Sequence, residues 1–152
     1  MSDLLSPIDV RRRLPTERKS VVKRFEIWDQ RTFEDINEVV KGYFVVGLYD
    51  DGSPGEVFIH VSKNGSTVSG FADAFATSFS IMLQVGIPLE YLVKKFQLLR
   101  FEPAGPTGGD EHVKIAHSIV DYLVRWMAAR FKKVSDVFET TEEQPLDPHL
   151  DS

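Results

Sequence analysis

The spacing of hydrophobic residues divides the chain into a strand-forming first half and a helix-forming second half. Apolar and polar positions alternate over residues 19–28, which predicts a half-exposed strand. Residues 42–49 are aromatic and β-branched on both faces, and residues 56–61 alternate again. Because the intervening segment 50–55 is rich in Asp, Gly and Pro, these two strands are predicted to form an antiparallel hairpin.

Three later segments repeat apolar residues every three or four positions, which is the spacing of one helix face. The predicted helices cover residues 68–84, 88–96 and 113–131, and Gly86 is expected to end the first. We interpret the apolar stripe of the first helix as core packing and not as a cofactor box. Its members are Val68, Phe71, Ala72, Phe75, Ala76, Phe79, Met82 and Leu83.

Strands and helices are segregated along the chain, which favours the α+β class. We expect an antiparallel sheet of about three to five strands with three helices packed on one face. In the polar connection 29–41, Thr32 is followed three residues later by Asp35, which resembles a capping box and predicts a short helix to about Val40. The segment 97–112, rich in Gly and Pro, is predicted to be mainly loop.

Charge is distributed unevenly along the 152 residues, and the distribution predicts three regions. The first 24 residues carry seven Lys and Arg against three Asp and Glu, whereas residues 135–152 carry six Asp and Glu and no Lys or Arg. We therefore expect a basic extended arm over 1–18, a single α+β domain over 19–133 and an acidic, disordered tail over 134–152. The triplet Arg11–Arg13 either contacts phosphate or forms salt bridges on the domain surface.

The absence of cysteine excludes several chemistries at once. Without thiols there is no disulfide, thiolate metal site, thiol nucleophile or dithiol relay. The sequence has no run of about 18 uncharged apolar residues and no apolar leader, so we expect a cytoplasmic protein without membrane association. The net charge of −5 argues against nucleic acid as a partner, since binding to the phosphate backbone depends on clustered Lys and Arg.

The histidines and serines give little support for a metal or hydrolytic site. The four histidines are His60, His112, His117 and His149. His112 and His117 are five residues apart, not the four that would place them on one helix face. The Gly-x-Ser-x-Gly pattern of a nucleophile elbow is missing. No metal ligand or catalytic residue is therefore predicted, and a triad that converges only in space stays open as a third hypothesis.

The turn between the third strand and the first helix is the candidate binding site. The proposed ligand-binding residues are Lys63, Asn64, Gly65, Ser66 and Thr67 in this turn, with Arg100 as a further cation. Free N–H groups at a helix N-terminus favour an anion, Gly65 permits close backbone approach, and the hydroxyl groups donate hydrogen bonds. The residue order is not that of a Walker P-loop. The alternative is a turn in which Ser66 or Thr67 simply caps the helix.

Several motifs, in one order over about residues 11–131, resemble the TSCPD domain at the C-terminus of adenosylcobalamin-dependent (class II) ribonucleotide reductases. The similar segments are Arg13–Pro15, Glu17–Ser20, Gly42–Tyr49, Asp51–Ile59, Lys63–Gly70, Pro88–Phe96, Arg100–Gly105 and Ser118–Tyr122. Stand-alone copies of this domain also occur in bacteria and phages. The resemblance implies an association with deoxyribonucleotide synthesis.

Departures from the family limit what the resemblance implies. Its reductase chemistry needs a thiyl-forming cysteine, a redox cysteine pair and a cobalamin-binding barrel, and this chain has no cysteine. Where the reductase chains usually carry a further cysteine pair near the C-terminus, this chain has acidic residues. The polar connection 29–41 is read as an insertion. The resemblance therefore implies no catalysis by this chain alone and no cofactor bound to it, with adenosylcobalamin held only by a partner reductase.

Two hypotheses of different classes follow. In the first, the chain is a non-catalytic accessory or regulatory module that binds a reductase chain or a second copy of itself, with a nucleotide as a further ligand at Lys63–Thr67 near Arg100. In the second, it is a free-standing protein that sequesters a nucleotide or cyclic nucleotide at the same turn. A homo-oligomer is expected, because an open strand edge and a Phe-rich helix leave apolar surface to cover.

Overall fold

The computed structural model describes residues 10–29, 38–62 and 65–132, so half of the predicted arm and the predicted tail lie outside the described residues. Within the described ranges there are an antiparallel three-stranded sheet in the order β1-β2-β3, a two-stranded sheet and three helices, which confirms the predicted α+β class. The elements are β1 (Ser20–Asp29), β2 (Glu38–Leu48), β3 (Pro54–Val61), α1 (Ser66–Gln84), α2 (Leu89–Phe96), β4 (Gly105–Pro106), β5 (Ile115–Ala116) and α3 (Ile119–Arg130).

The core lies on one face of the larger sheet, where aromatic side chains of β1, β2 and α3 pack together. Phe25 and Phe44, on neighbouring strands, stack with ring centroids 4.4 Å apart. Tyr122 of α3 meets Phe44 edge-on at 5.6 Å, and Trp126 stacks near the same ring at 6.0 Å. All four side chains are buried. Aromatic pairs of this kind add about 0.5–1.5 kcal/mol beyond their burial, so they fix α3 across the sheet.

The opposite face of the sheet is open to solvent. Val22, Val45 and Phe58 are paired in register and form one row across the three strands. Val22 and Phe58 are among the exposed large apolar side chains. An antiparallel sheet with one packed and one solvated face is a common arrangement, so this row alone does not indicate a site.

Helix α1 packs along the free edge of β3. The backbone N–H of Val57 donates to Ser80 Oγ at 2.8 Å, and the Ser80 hydroxyl hydrogen is shared between Ala76 O at 2.7 Å and Val57 O at 3.2 Å. One turn further along the helix, Gln84 Nε2 donates to Gly55 O at 2.9 Å. These contacts satisfy edge groups of β3 that a fourth strand would otherwise pair.

The start of α1, with Val68 and Phe71, extends beyond the core, whereas Ala72 and Phe75 pack against it. Of the predicted stripe, only Ala76 and Phe79 are fully buried, whereas Val68 is exposed and Phe71 is 76% exposed. The prediction of one continuous buried face is therefore wrong for the first two turns of the helix. Helical periodicity identifies the apolar face, but it carries no information about where the surface beneath the helix ends.

The two ends of α1 were predicted with different success. The helix begins at Ser66 with Gly65 at the N-cap and without a side-chain cap, so the expectation that Ser66 or Thr67 caps it is wrong. At the other end Gly86 has a φ of 94°, and its N–H and that of the next residue bond to carbonyl groups of the last turn. This is a Schellman arrangement, and the predicted stop at Gly86 is confirmed.

Helix α3 begins at Ile119, six residues after the predicted start at Val113. The segment before it is irregular and includes β5, and Ser118 caps the helix by accepting a hydrogen bond from Asp121 N–H at 3.0 Å. Val113 and Ala116 are fully buried although they are not helical. The predicted start was wrong because a bend at Lys114 lets Val113 and Ala116 both reach the core without a helix.

Strand β2 begins earlier than predicted, at Glu38. Val40 pairs with Ile27 and lies in the core, so the end of the short helix predicted to reach Val40 is wrong. Thr32 and Asp35, which carried that prediction, lie outside the described residues. The strand prediction missed this extension because Lys41 and its neighbours were read as part of a polar connection.

The described part of the arm, from residue 10 onward, lies against the domain. Arg12 N–H donates to Gln84 O at 2.8 Å, which attaches the arm to the end of α1. Arg18 forms a two-point ion pair with Glu56 of β3, with Nη2 to Oε2 at 2.8 Å. Two of the basic residues near the start of the chain therefore serve contacts within the domain.

Candidate functional site

The N-terminus of α1 is the described part of the predicted binding turn. Lys63 and Asn64 lie outside the described residues, whereas Gly65, Ser66 and Thr67 are exposed at the start of the helix. The N-cap residue, Gly65, has no side chain to cap this end, and the first turn of the helix holds no acidic residue. The N–H groups of a helix N-terminus together with the helix dipole suit an anion, but the same features also fit a helix start that is simply hydrated.

Arg100 lies elsewhere on the surface. It lines an open cavity of about 440 Å³ beside the buried Asp29, with Glu102 and His117 also in the wall. None of the three described turn residues lines this cavity. The structure therefore does not join Arg100 and the described part of the turn in one cavity.

A larger cleft of about 760 Å³ lies where the arm meets the C-terminal ends of α1 and α3. Its charged wall residues are of both signs: Arg12, Asp51, Glu90, Arg130 and Lys132. The Arg12 guanidinium lies 3.5 Å from Asp51 and 3.8 Å above the centre of the Tyr49 ring. One of the cations of the cleft, Arg12, is thus already engaged within the protein.

The segment after α2 is fixed by buried polar groups of α3. Leu98 has a φ of 62°, in the left-handed region that residues other than glycine rarely adopt. Its N–H donates to Asp121 Oδ1 at 2.6 Å, and Ser118 Oγ donates to Leu99 O at 2.6 Å. The side chains of Asp121 and Ser118 are fully buried. Two buried groups at the start of α3 therefore set the backbone of Leu98 and Leu99.

Asp121 has further partners, so its buried charge is compensated. It accepts from His117 N–H at 2.9 Å and from Arg125 Nη1 at 3.1 Å. No role was predicted for Asp121 from the sequence, although Ser118-x-x-Asp121 has the spacing of a capping box with Asp in place of Glu. The left-handed backbone of Leu98 has no corresponding signal, because neither Gly nor Asn marks the position.

A second buried carboxylate, Asp110, links the turn between β4 and β5 to β1 and α3. Lys23 Nζ lies 2.6 Å from it, Tyr122 Oη donates to it at 2.7 Å, and the N–H groups of His112 and Val113 donate to its other oxygen. Burial opposes ionisation of Asp110, but these hydrogen bonds, led by that of Lys23, hold its pKa well below the ordinary value. Burial and the bond to Asp110 raise the pKa of Tyr122. Neither group changes its protonation state near neutral pH, so the cluster acts as a structural clamp.

The histidines do not assemble a metal site in the part of the chain that the structure describes. No group of three His, Asp or Glu residues there could hold a metal ion. His60 is exposed on β3, and His117 contributes backbone hydrogen bonds to Asp121 and Phe101. His149 lies outside the described residues.

No helix within residues 10–29, 38–62 and 65–132 has the length and apolar character needed to cross a bilayer.

The order of elements and the motifs on them define a known class of α+β domain. The model of the TSCPD domain family matches residues 11–131, which is most of the chain. The chain therefore belongs to the TSCPD domain family.

The curated relatives that share this domain are much longer proteins. The vitamin B12-dependent ribonucleotide reductase of Rhodopirellula baltica is 42% identical over 132 residues, which cover 87% of this chain and 12% of that protein. The protein of the same name from Streptomyces avermitilis is 43% identical over 122 residues, 80% of this chain and 12% of that protein. That of Bradyrhizobium diazoefficiens is 38% identical over 112 residues, 74% of this chain and 9% of that protein.

The chain thus spans about an eighth or less of the length of these three relatives. No solved structure matches it. The similarity therefore concerns one domain of these reductases.

Proposed function

We propose that this chain is a non-catalytic accessory module that binds a vitamin B12-dependent ribonucleotide reductase and modulates its activity. One observation carries the proposal: the chain is homologous to a small part of such reductases and contains no cysteine. Most of each relative's length has no counterpart in this chain. The remaining role for a homologous domain without redox residues is contact with the protein that has them.

The absence of cysteine excludes thiol-based radical chemistry by this chain alone and so supports an accessory role. In the family that the sequence resembles, cysteine thiols carry the radical and supply the reducing equivalents. In the proposal the partner reductase supplies those thiols and holds adenosylcobalamin, and this chain supplies a binding surface. A domain joined to its partner in one polypeptide has a high effective concentration, so a modest interface suffices in the relatives. In the proposal, a separate chain lacks this covalent link, so its affinity for the reductase has to be sufficient at the concentration of the free chain.

Co-purification and turnover measurements test the proposal. The tagged chain is mixed with a purified vitamin B12-dependent reductase, preferably one without a matching region of its own, and the reductase activity is followed during titration. We expect a stable complex and a saturable change in turnover. Absence of both with every such reductase tried would contradict the proposal. Light scattering of the chain alone measures its molar mass, and thereby tests the other partner considered, a second copy of the chain.

A second candidate function is anion binding at the start of α1, with a nucleotide phosphate as the ligand. The observation in its favour is that Gly65, Ser66 and Thr67 are exposed and that the N-cap residue, Gly65, has no side chain to cap the helix. Thermal unfolding in the presence of inorganic phosphate and a nucleotide panel tests it. A ligand at a hundred times its Kd is expected to stabilise by about 2.7 kcal/mol.

The variant Ser66→Asp distinguishes an anion-binding site at the start of α1 from a helix start that binds no ligand. A carboxylate in the first turn interacts favourably with the helix dipole by about 0.3–1 kcal/mol, and it also repels an incoming phosphate. We expect this variant to melt higher without ligand and to lose any shift caused by phosphate. If no phosphate compound shifts the wild-type melting temperature, this second function is wrong.

A further inference from the structure

The segment Leu98–Phe101 exposes three large apolar side chains in four residues. Leu98 is 58% exposed, and Leu99 and Phe101 are also exposed. Single exposed apolar residues are ordinary on protein surfaces, but contiguous ones often mark contact sites. The segment follows α2 directly, and Leu99 N–H bonds to Phe96 O at 3.3 Å.

The backbone of this segment is held by three hydrogen bonds to residues 117–121. Leu98 and Leu99 bond to the buried side chains of Asp121 and Ser118, both at 2.6 Å. Phe101 N–H then bonds to the carbonyl group of the residue before Ser118, at 3.1 Å. The exposed apolar side chains thus stand on a backbone that is fixed before any partner arrives. Such preorganisation lowers the entropic cost of binding.

Leu98 is also the single residue other than glycine with a positive φ among the described residues. The left-handed conformation is unfavourable for a leucine and persists only where the surroundings enforce it. Glycine would fit the backbone without strain, so the conformation alone does not account for a leucine. An exposed leucine on strained backbone indicates that its side chain serves a contact outside the domain.

Cations outnumber anions beside the apolar residues along the chain. Lys94 and Lys95 lie in the last turn of α2, the exposed Arg100 stands between Leu99 and Phe101, and Glu102 follows Phe101. This positive rim belongs to a chain with a net charge of −5. Complementary charge at an interface sets orientation and association rate, so the rim predicts an acidic counterpart.

We infer that Leu98, Leu99 and Phe101, with their cationic rim, form the surface that docks on the reductase chain, in an apolar groove bordered by carboxylates. The inference rests on the proposed function and specifies its interface. A two-fold dimer through the same surface is disfavoured, because it would bring two copies of this net-positive surface together. The relatives point instead to the reductase chain as the occupant, because in them the matched domain is part of a longer chain.

The test compares Kd values of single variants for the reductase. Leu98→Gly and Leu99→Ser remove an apolar contact each, and Arg100→Glu reverses the charge of the rim. Each is expected to weaken binding at least tenfold, and Arg100→Glu is also expected to change the dependence on salt. Leu98→Gly is expected to melt no lower than wild type, because glycine removes backbone strain. Phe58→Ser, on the open face of the sheet at 54% exposure, is the matched control and is expected to bind within twofold of wild type.

The possible outcomes are distinguishable. If the wild-type chain binds and the three variants bind equally well, or if Phe58→Ser weakens binding as strongly as they do, this inference is wrong and the proposed function stands. If the variants alter the mass of a self-assembled species and leave reductase binding unchanged, the occupant is a second copy and the inference is again wrong. If the wild-type chain binds no reductase, the proposed function fails and the inference fails with it.

Discussion

Ser80, in the middle of α1, hydrogen-bonds to the backbone of Val57 and thereby takes the place of a fourth strand at the edge of the sheet. A single helix side chain that bonds to both the N–H and the carbonyl group of one strand residue satisfies two backbone groups at the strand edge. It also explains why α1 lies beside β3 while α3 lies across the aromatic core.

Replacement of Ser80 by alanine is expected to lower the free energy of unfolding by about 1–3 kcal/mol, because the buried N–H of Val57 loses its acceptor. Chemical denaturation measures the loss, and hydrogen exchange at the Val57 amide is expected to become faster. Ser78→Ala is the control: the Ser78 hydroxyl is exposed and bonds only to Ala74 O within its own helix. We expect it to stay within about 0.5 kcal/mol of wild type. Equal effects of the two substitutions would contradict the role assigned to Ser80.

The two phenylalanines at positions 71 and 79 are expected to differ sharply, although both belong to the same sequence stripe. Phe79 is fully buried, so Phe79→Ala is expected to cost about 3–5 kcal/mol. Phe71 is 76% exposed, so Phe71→Ala is expected to change stability by less than about 0.5 kcal/mol. Denaturant titration of the two variants measures both values. A large loss for Phe71→Ala would mean that the first turns of α1 are covered in solution, for example by a second copy.

Asp110 is expected to make stability depend on acid pH. Folding lowers its pKa below the ordinary value of 3.8, so its contribution is complete well above that pH. The contribution is lost progressively as the pH falls below 3.8, because the unfolded chain then binds a proton at Asp110 that the folded state, with its lowered pKa, does not yet bind. Unfolding free energies measured between about pH 2 and 7 should therefore decline less steeply for Asp110→Asn than for wild type. Tyr122→Phe, which removes one donor, is expected to lie between them, and parallel profiles for all three proteins would contradict this role.

Asp121 is expected to control the segment that carries Leu98. Asp121→Asn replaces one acceptor oxygen by a donor that faces the N–H of Leu98 or of His117. Loss of a charged, buried hydrogen bond of this kind costs about 1.5–3 kcal/mol. We expect faster hydrogen exchange at Leu98 together with a lower melting temperature, measured by mass spectrometry and calorimetry. Unchanged exchange at Leu98 would show that the segment is held by other contacts.

The three strands of the larger sheet, apart from the start of β2, and the C-terminal end of α1 could be predicted from sequence because their signals are local. Alternation is evident in residues 56–61, and Gly86 can adopt the positive φ that ends the helix. The start of α3 could not be predicted from periodicity, because Val113 and Ala116 reach the core from an irregular, bent segment. The spacing of Ser118 and Asp121 would have indicated the true start, had it been weighed above the apolar pattern.

The candidate binding residues are a different case. The sequence could predict that a helix begins near Ser66, but the absence of a cap depends on backbone geometry at Gly65. The separation of Arg100 from that turn depends on tertiary packing, which residue types do not encode locally. The arrangement at Leu98 depends on Asp121, 23 residues away in sequence, so no local pattern could reveal it.

Binding to the reductase is the most direct test of the function proposed for this chain. Sedimentation velocity with the labelled chain and increasing concentrations of a purified vitamin B12-dependent ribonucleotide reductase measures it without immobilisation. We predict that the labelled chain moves into a faster, saturable species with a Kd of about 1 μM or tighter, which corresponds to about 8 kcal/mol. Sedimentation of the labelled chain at its free rate, with reductase present up to about 100 μM, would contradict the proposal.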